Sequence, residues 1–166
     1  MLTEHKTKTE QYFVDENGVK QGEYNTYYHG GQLRSHSFFQ NGKNHGERKV
    51  YHPNGQLHIH DFYHNDKLHG EFKRYHDNGQ LRCHSFYQNG KFHGEYKRYH
   101  DNGQLWEHSF YQNGKLHGEC KRYHSNGKLD YATFYYHGNN LNVNPDTLSG
   151  KDKTYILLSG RLPPRD

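Results

Sequence analysis

The sequence predicts an all-β protein, an elongated single-layer antiparallel meander of β-hairpin repeats with a 24-residue period. Three observations predict this fold. Turn signals recur at alternating spacings of 11 and 13 residues, which gives two turns per repeat. The 16 Tyr and 9 Phe supply apolar surface of the kind that strands bury. Gap-free blocks begin at Gly30, Asn54, Asn78, Asn102 and Asn126.

Each repeat is predicted to contain two strands, exemplified by residues 81–88 and 92–100. The segments between turns are too short for helices, and a Gly every dozen residues would break them. Asn-Gly pairs favour two-residue type I′ turns, because both turn residues then need positive φ. Strict two-residue turns place Leu81, Cys83, Tyr87, Phe92 and Tyr96 on one face, the better core candidate, and His84, Phe86, Glu95, Lys97 and Tyr99 on the other.

Gly94 lies inside the second strand of its repeat, and Gly46, Gly70 and Gly118 occupy the same position in other repeats. A recurring Gly within a strand indicates a β-bulge. Such a bulge would move every residue after it to the opposite face.

The chain divides into three predicted segments: a polar N-terminal tail (1–11), the repeat array (12–142) and a C-terminal capping segment (143–166). No helix is expected in the array. Beyond it, Asn144-Pro145-Asp146 interrupts the pattern, and residues 153–159 form the most aliphatic stretch of the chain. A cap is expected there because the last strand of an array exposes unpaired backbone groups.

The formal net charge of +4 is spread evenly along the chain, so nucleic acid is not an expected partner. No apolar run approaches the roughly 18 residues of a membrane span, and the N-terminus lacks the hydrophobic segment of a signal peptide. An intracellular, cytoplasmic location is expected. Cys83 and Cys120 are expected to be free thiols, because other repeats carry different residues at their positions.

The segment FYQNGKLHGECKRYHSNGKL and its sister blocks resemble the MORN repeat, in its shorter variant, over about residues 12–142. The resemblance implies a β-hairpin platform for protein contacts, for dimerisation or for phospholipid headgroups. The variant class is similar to that of antitoxin-type bacterial proteins and of giant-virus proteins. A viral origin, with a place in the virion, is thus one of the expectations.

The 17 His residues fall mainly in three recurring positions, but their spacing argues against a metal site. Equivalent residues two strands apart are separated by roughly 10 Å, too far to converge on one ion. No metal and no cofactor are expected. The ideal register places His84 opposite Glu95, and because this pairing recurs in every repeat we interpret it as structural rather than catalytic. The sequence therefore predicts a protein that is not an enzyme.

The candidate binding residues are two recurring sets of side chains. The tyrosines belong either to the core or to an open face of the sheet, and the lysines either to a solvated face or to a charged binding surface. We expect a scaffold for another protein or for a second copy of the chain. The alternative is a peripheral membrane adaptor that binds anionic lipid through its basic residues. The candidate residues are Tyr51, Tyr75, Tyr99 and Tyr123, with Lys73, Lys97 and Lys121.

Overall fold

The computed structural model describes residues 1–164, and thirteen strands follow one another in chain order in a single antiparallel sheet. The predicted all-β meander is confirmed, including the absence of helix from residues 12–142. The strands are β1 (Thr3–Lys6), β2 (Glu10–Val14), β3 (Lys20–Tyr27), β4 (Leu33–Gln40), β5 (Lys43–Tyr51), β6 (Leu57–His64), β7 (Lys67–Tyr75), β8 (Leu81–Gln88), β9 (Lys91–Tyr99), β10 (Leu105–Gln112), β11 (Lys115–Tyr123), β12 (Leu129–Tyr136) and β13 (Asn139–Asn140). A 3₁₀ turn (Pro145–Thr147) and helix α1 (Gly150–Ser159) follow them.

Two kinds of turn alternate along the array. Between β4 and β5, Asn41 and Gly42 have φ of 51° and 75°, as the type I′ prediction requires. The turn between β5 and β6 is instead a five-residue loop, closed by the bond from the His52 backbone N–H to the Gln56 carbonyl. Inside that loop the Asn54 side chain accepts a hydrogen bond from the Gln56 backbone N–H. The expectation of two-residue turns throughout is therefore wrong for every second turn.

The recurring Gly marks a bulge of two extra residues. Ser37 pairs with Arg48, but the next pair on that side is Phe39 with Asn44. Three residues of β5, centred on Gly46, thus face one residue of β4. Gly46 has φ of 90°, a backbone conformation that favours glycine. Because two extra residues preserve the alternation of side chains, the bulge does not exchange the faces.

The sheet therefore has two distinct faces, which we name after their central residues. The serine face has a buried central row, and the aromatic residues Tyr24 and Tyr96 lie beside members of that row. The histidine face carries the recurring His together with Glu, Lys and Phe. The buried row of the serine face is Ser37, Asp61, Ser85, Ser109 and Thr133. The His residues of the histidine face are His36, His60, His84 and His108.

The N-terminal segment differs from the predicted tail. Residues 3–6 form β1, in which Thr3 pairs with Val14 and Lys6 with Gln11. All four residues of β1 are exposed. A short, exposed and charged strand at the edge of a sheet is a common means of limiting edge-to-edge association.

The described residues form two compact units, residues 1–82 with 87–90, and residues 83–86 with 91–164. In the first unit, Val14 and Asp61 are buried. The second unit has the larger apolar core, in which Cys120, Phe134 and Ile156 are each at most 1% exposed. Within the described residues, Cys83 and Cys120 are not joined by a disulfide.

Helix α1 is defined by strong signals at both ends. Ser149 and Asp152 form a capping box, in which the Ser149 hydroxyl accepts from the Asp152 backbone N–H and the Asp152 carboxylate accepts from the Ser149 backbone N–H. Gly160 ends the helix with φ of 71°, and an added Cβ there would collide with the ring of Tyr136. The helix therefore packs closely against the end of β12.

Candidate functional site

The lysines of the histidine face each lie next to a glutamate. Lys97 Nζ is 2.8 Å from Glu95 Oε1, and Lys73 Nζ is 2.8 Å from Glu71 Oε1. Lys121 pairs with both Glu119, at 3.4 Å, and Asp146. All three lysines predicted to form a basic surface are therefore paired with carboxylates along their own strand or in the C-terminal segment.

Glutamates of this face also bind histidines on the following strand. His60 Nε2 lies 2.8 Å from Glu47 Oε1, and His108 Nε2 lies 2.9 Å from Glu95 Oε1. The hydrogen bond from Lys49 is the largest cause that lowers the pKa of Glu47, and His60 adds to it. Each such glutamate thus joins two strands in a small charge network.

The predicted pairing of His with Glu inside one hairpin is wrong for β6 with β7 and for β10 with β11. In the hairpin of β6 and β7, His60, the equivalent of His84, lies opposite Lys73. The two-residue bulge displaces the Glu from this position. His60 contacts the Glu of the preceding strand instead, and a contact that recurs in this way holds neighbouring strands together.

The four candidate tyrosines lie on the histidine face. Tyr99 is two residues beyond Lys97 on β9, so both side chains project to the same side. The tyrosines are half-buried, and among residues 1–164 none of their hydroxyls has a hydrogen-bond partner. In the first unit the histidine face carries Tyr51 and Tyr75 with Lys73, and in the second unit it carries Tyr99 and Tyr123 with Lys97 and Lys121.

The serine face contains a second group of charged residues that the sequence reasoning missed. Arg48 donates from Nε and Nη2 to the Asp61 carboxylate at 2.9 and 2.6 Å. Arg98 lies over the ring of Trp106, 3.9 Å from its centroid. The sequence signal was a break in the repeat, because Tyr24 and Tyr96 occupy the position of Arg48 in other repeats.

Two histidines, His117 and His137, lie next to each other at the end of β12. The backbone N–H of His137 donates to Nδ1 of His117 at 3.3 Å, a bond that requires this nitrogen to be unprotonated. The two imidazole centroids are 4.7 Å apart, and the ring of Tyr136 lies against both. Burial, followed by the neighbouring His137, lowers the pKa of His117.

On the serine face, burial followed by His52 and Arg74 likewise lowers the pKa of His58.

We expect the melting temperature to fall by a few degrees between pH 7 and pH 5. The folded pKa values of His58 and His117 lie below the unfolded value of about 6.5. The unfolded chain therefore binds more protons in this window, and stability present above pH 6.5 is lost as the pH falls. Thermal melts followed by circular dichroism at constant ionic strength measure the effect. His117→Gln should reduce the fall, whereas a constant or rising melting temperature in the unmodified protein would contradict the assignment.

Within residues 1–164, no group of three or more His, Cys, Asp or Glu is placed to hold a metal ion. No helix in this part of the chain is both long and apolar enough to cross a membrane.

The fold defines a class of protein, the open antiparallel sheet built from β-hairpin repeats. The family model of the MORN repeat variant matches residues 20–41, 44–65, 68–91, 92–113 and 116–137. These matches cover more than half of the chain, which therefore belongs to the MORN repeat variant family. No curated protein matches the chain. MORN repeats generally mediate protein or membrane-lipid interactions.

Proposed function

We propose that this protein is a non-enzymatic repeat scaffold that binds another protein, or a second copy of itself, through the tyrosines of the histidine face. The proposal is supported by half-buried phenol rings on the histidine face of each unit, Tyr51 and Tyr75 in the first and Tyr99 and Tyr123 in the second. Their hydroxyls have no partner among the described residues. Tyrosine combines a large apolar surface with a polar end, and for this reason it is frequent in protein interfaces.

The charge arrangement favours a protein partner over the alternative, an adaptor for anionic lipid. Binding to an acidic membrane surface needs uncompensated Lys or Arg near that surface. On the histidine face, Lys73, Lys97 and Lys121 are paired with Glu or Asp at distances of 3.4 Å or less. The net attraction of this face to a lipid headgroup is correspondingly small.

Replacing Tyr51, Tyr75, Tyr99 and Tyr123 together with Ser should abolish association and leave the β spectrum intact. Each ring is expected to contribute about 1 kcal/mol, so Tyr99→Ala alone should weaken binding only about fivefold. Sedimentation velocity measures self-association, and pulldown from a host extract, with identification of the captured proteins, measures partner binding.

Each other outcome of this experiment counts against the proposal. Normal association of a folded fourfold variant would show that the surface is wrong. Unfolding of that variant would assign the tyrosines to the core. Co-sedimentation of the unmodified protein with vesicles of anionic lipid, increasing with lipid charge and decreasing with salt, would favour the adaptor.

A further inference from the structure

On the serine face of the first unit, Arg34 and Arg74 have no carboxylate partner among residues 1–164. Arg34 is exposed, and its guanidinium lies 6.0 Å from the centroid of the Tyr28 ring. Arg74 donates from Nε to His58 Nε2 at 3.1 Å, and this imidazole nitrogen is therefore neutral. Neither arginine forms an ion pair with any residue in 1–164. Arg48, by contrast, is neutralised by Asp61.

A groove of about 540 Å³ lies beside Arg34, and Arg74 is not in its lining. Its lining includes Arg34 and His58, which is the hydrogen-bond partner of Arg74. The register places one row of side chains along the groove, because Ser35 pairs with Val50, Val50 with Ile59 and Ile59 with Arg74. Val50 and Ile59 therefore lie between Arg34, which lines the groove, and Arg74, which is the next residue of the row beyond Ile59. Arg48 also lines the groove, but it is paired with Asp61.

The spacing of the two arginines selects an extended ligand over a small anion. Arg34 is on β4 and Arg74 is on β7, so three strand spacings of about 4.8 Å separate their backbones by about 14 Å. One phosphate or carboxylate cannot reach both guanidinium groups. In an extended chain, side chains four residues apart project to the same side and are about 13 Å apart. The residue midway between them would lie over Val50 and Ile59.

We infer that this groove binds an extended acidic segment of another protein, with the pattern acidic-x-apolar-x-acidic. The two carboxylates would pair with Arg34 and Arg74, and the apolar side chain would cover Val50 and Ile59. Arginine suits this role because its planar guanidinium donates two parallel hydrogen bonds to a carboxylate. The site lies on the face opposite the tyrosines, and it does not depend on the association proposed for them.

The test uses a fluorescein-labelled peptide, Glu-Ser-Leu-Ser-Glu, with blocked termini and the full-length chain. Fluorescence anisotropy at low salt should show saturable binding that weakens as salt is added. Arg34→Ser combined with Arg74→Ser should weaken binding at least about tenfold, since two charge-assisted contacts are lost. The matched control is Lys49→Ser combined with Lys67→Ser, which removes the same charge elsewhere and should change the affinity less than about twofold.

Further peptides and competitors separate the remaining explanations. Replacing Leu with Ser in the peptide should weaken binding several-fold, and replacing both Glu with Lys should abolish it. The inference is overturned by the absence of binding, by equal losses in the arginine and lysine variants, or by displacement of the peptide by millimolar inorganic phosphate. The fourfold tyrosine variant should bind the peptide normally, so failure of one proposal leaves the other measurable.

Discussion

Arg48→Ala should destabilise the protein by about 3–5 kcal/mol. The Asp61 carboxylate is fully buried, and Arg48 donates two hydrogen bonds to it across the pair of β5 and β6. Removing the arginine leaves a buried charge without its counterion, which costs far more than the intact pair contributes. The free energy of unfolding from urea denaturation, followed by circular dichroism, measures the loss.

The array itself provides the matched control. At the equivalent paired positions, Tyr24 lies opposite Ser37 and Tyr96 opposite Ser109. The double variant Arg48→Tyr with Asp61→Ser restores that arrangement and should lie within about 1 kcal/mol of the unmodified protein, or above it. A double variant as unstable as Arg48→Ala would show that the loss comes from packing around Arg48 rather than from the isolated carboxylate.

The parts of the fold that local signals determine could be predicted from the sequence. Strand β8 spans Leu81–Gln88, as predicted, because turn residues bound it on both sides. The shared face of Phe92 and Tyr96 was also correct, as shown by the contacts of Phe92 with Tyr96 and Tyr111 at 5.6 and 5.1 Å. The face of Leu81 was wrong, because at its position in other repeats Leu57 pairs with Tyr51 and Leu105 with Tyr99, after a one-residue shift in register. Side-chain alternation and Asn-Gly turns act over a few residues and need no knowledge of distant contacts.

Features that depend on more distant contacts were missed. Strand β1 consists of Thr-Glu-His-Lys, a segment without apolar alternation, and its strand conformation comes from pairing with β2. The two-residue width of the bulge at each recurring Gly becomes visible only in the pairing of adjacent strands. Helix α1 did have a local signal, the capping box of Ser149 and Asp152, which the prediction of a cap for residues 143–166 did not use.

The charged residues of the serine face were overlooked for a different reason. Repeat reasoning emphasises what recurs, whereas Arg48 and Asp61 are departures from the pattern at two positions that pair across strands. The position of Arg34 likewise varies between repeats, with His58, Arg82 and Trp106 at the equivalent places. In a repeat protein, a function that sets one member apart is best sought where two paired positions both depart from the repeat and the new residues bind each other, as Arg48 and Asp61 do.

Phe134→Ala should cost about 3–5 kcal/mol, whereas Phe110→Ala, at the same position of the preceding repeat, should cost only about 1–2 kcal/mol. Phe134 is 1% exposed and Phe110 is half-buried. The difference arises from helix α1. The last repeat has Ala132 at the position that His60 and His108 occupy in earlier repeats. On the same face, Lys153 of α1 pairs with Glu119 at 2.7 Å. The small side chain leaves room for the helix to cover Phe134.

A second pair of variants within α1 separates packing from helix formation. Ile156 is fully buried and Leu158 is 80% exposed. Ile156→Ala should therefore cost about 2–5 kcal/mol and Leu158→Ala less than about 0.5 kcal/mol, although both make a similar change in helix propensity. Urea denaturation of all four variants provides the comparison. Equal losses for Phe134→Ala and Phe110→Ala, or for the two helix variants, would show that α1 does not cover the last repeat in solution.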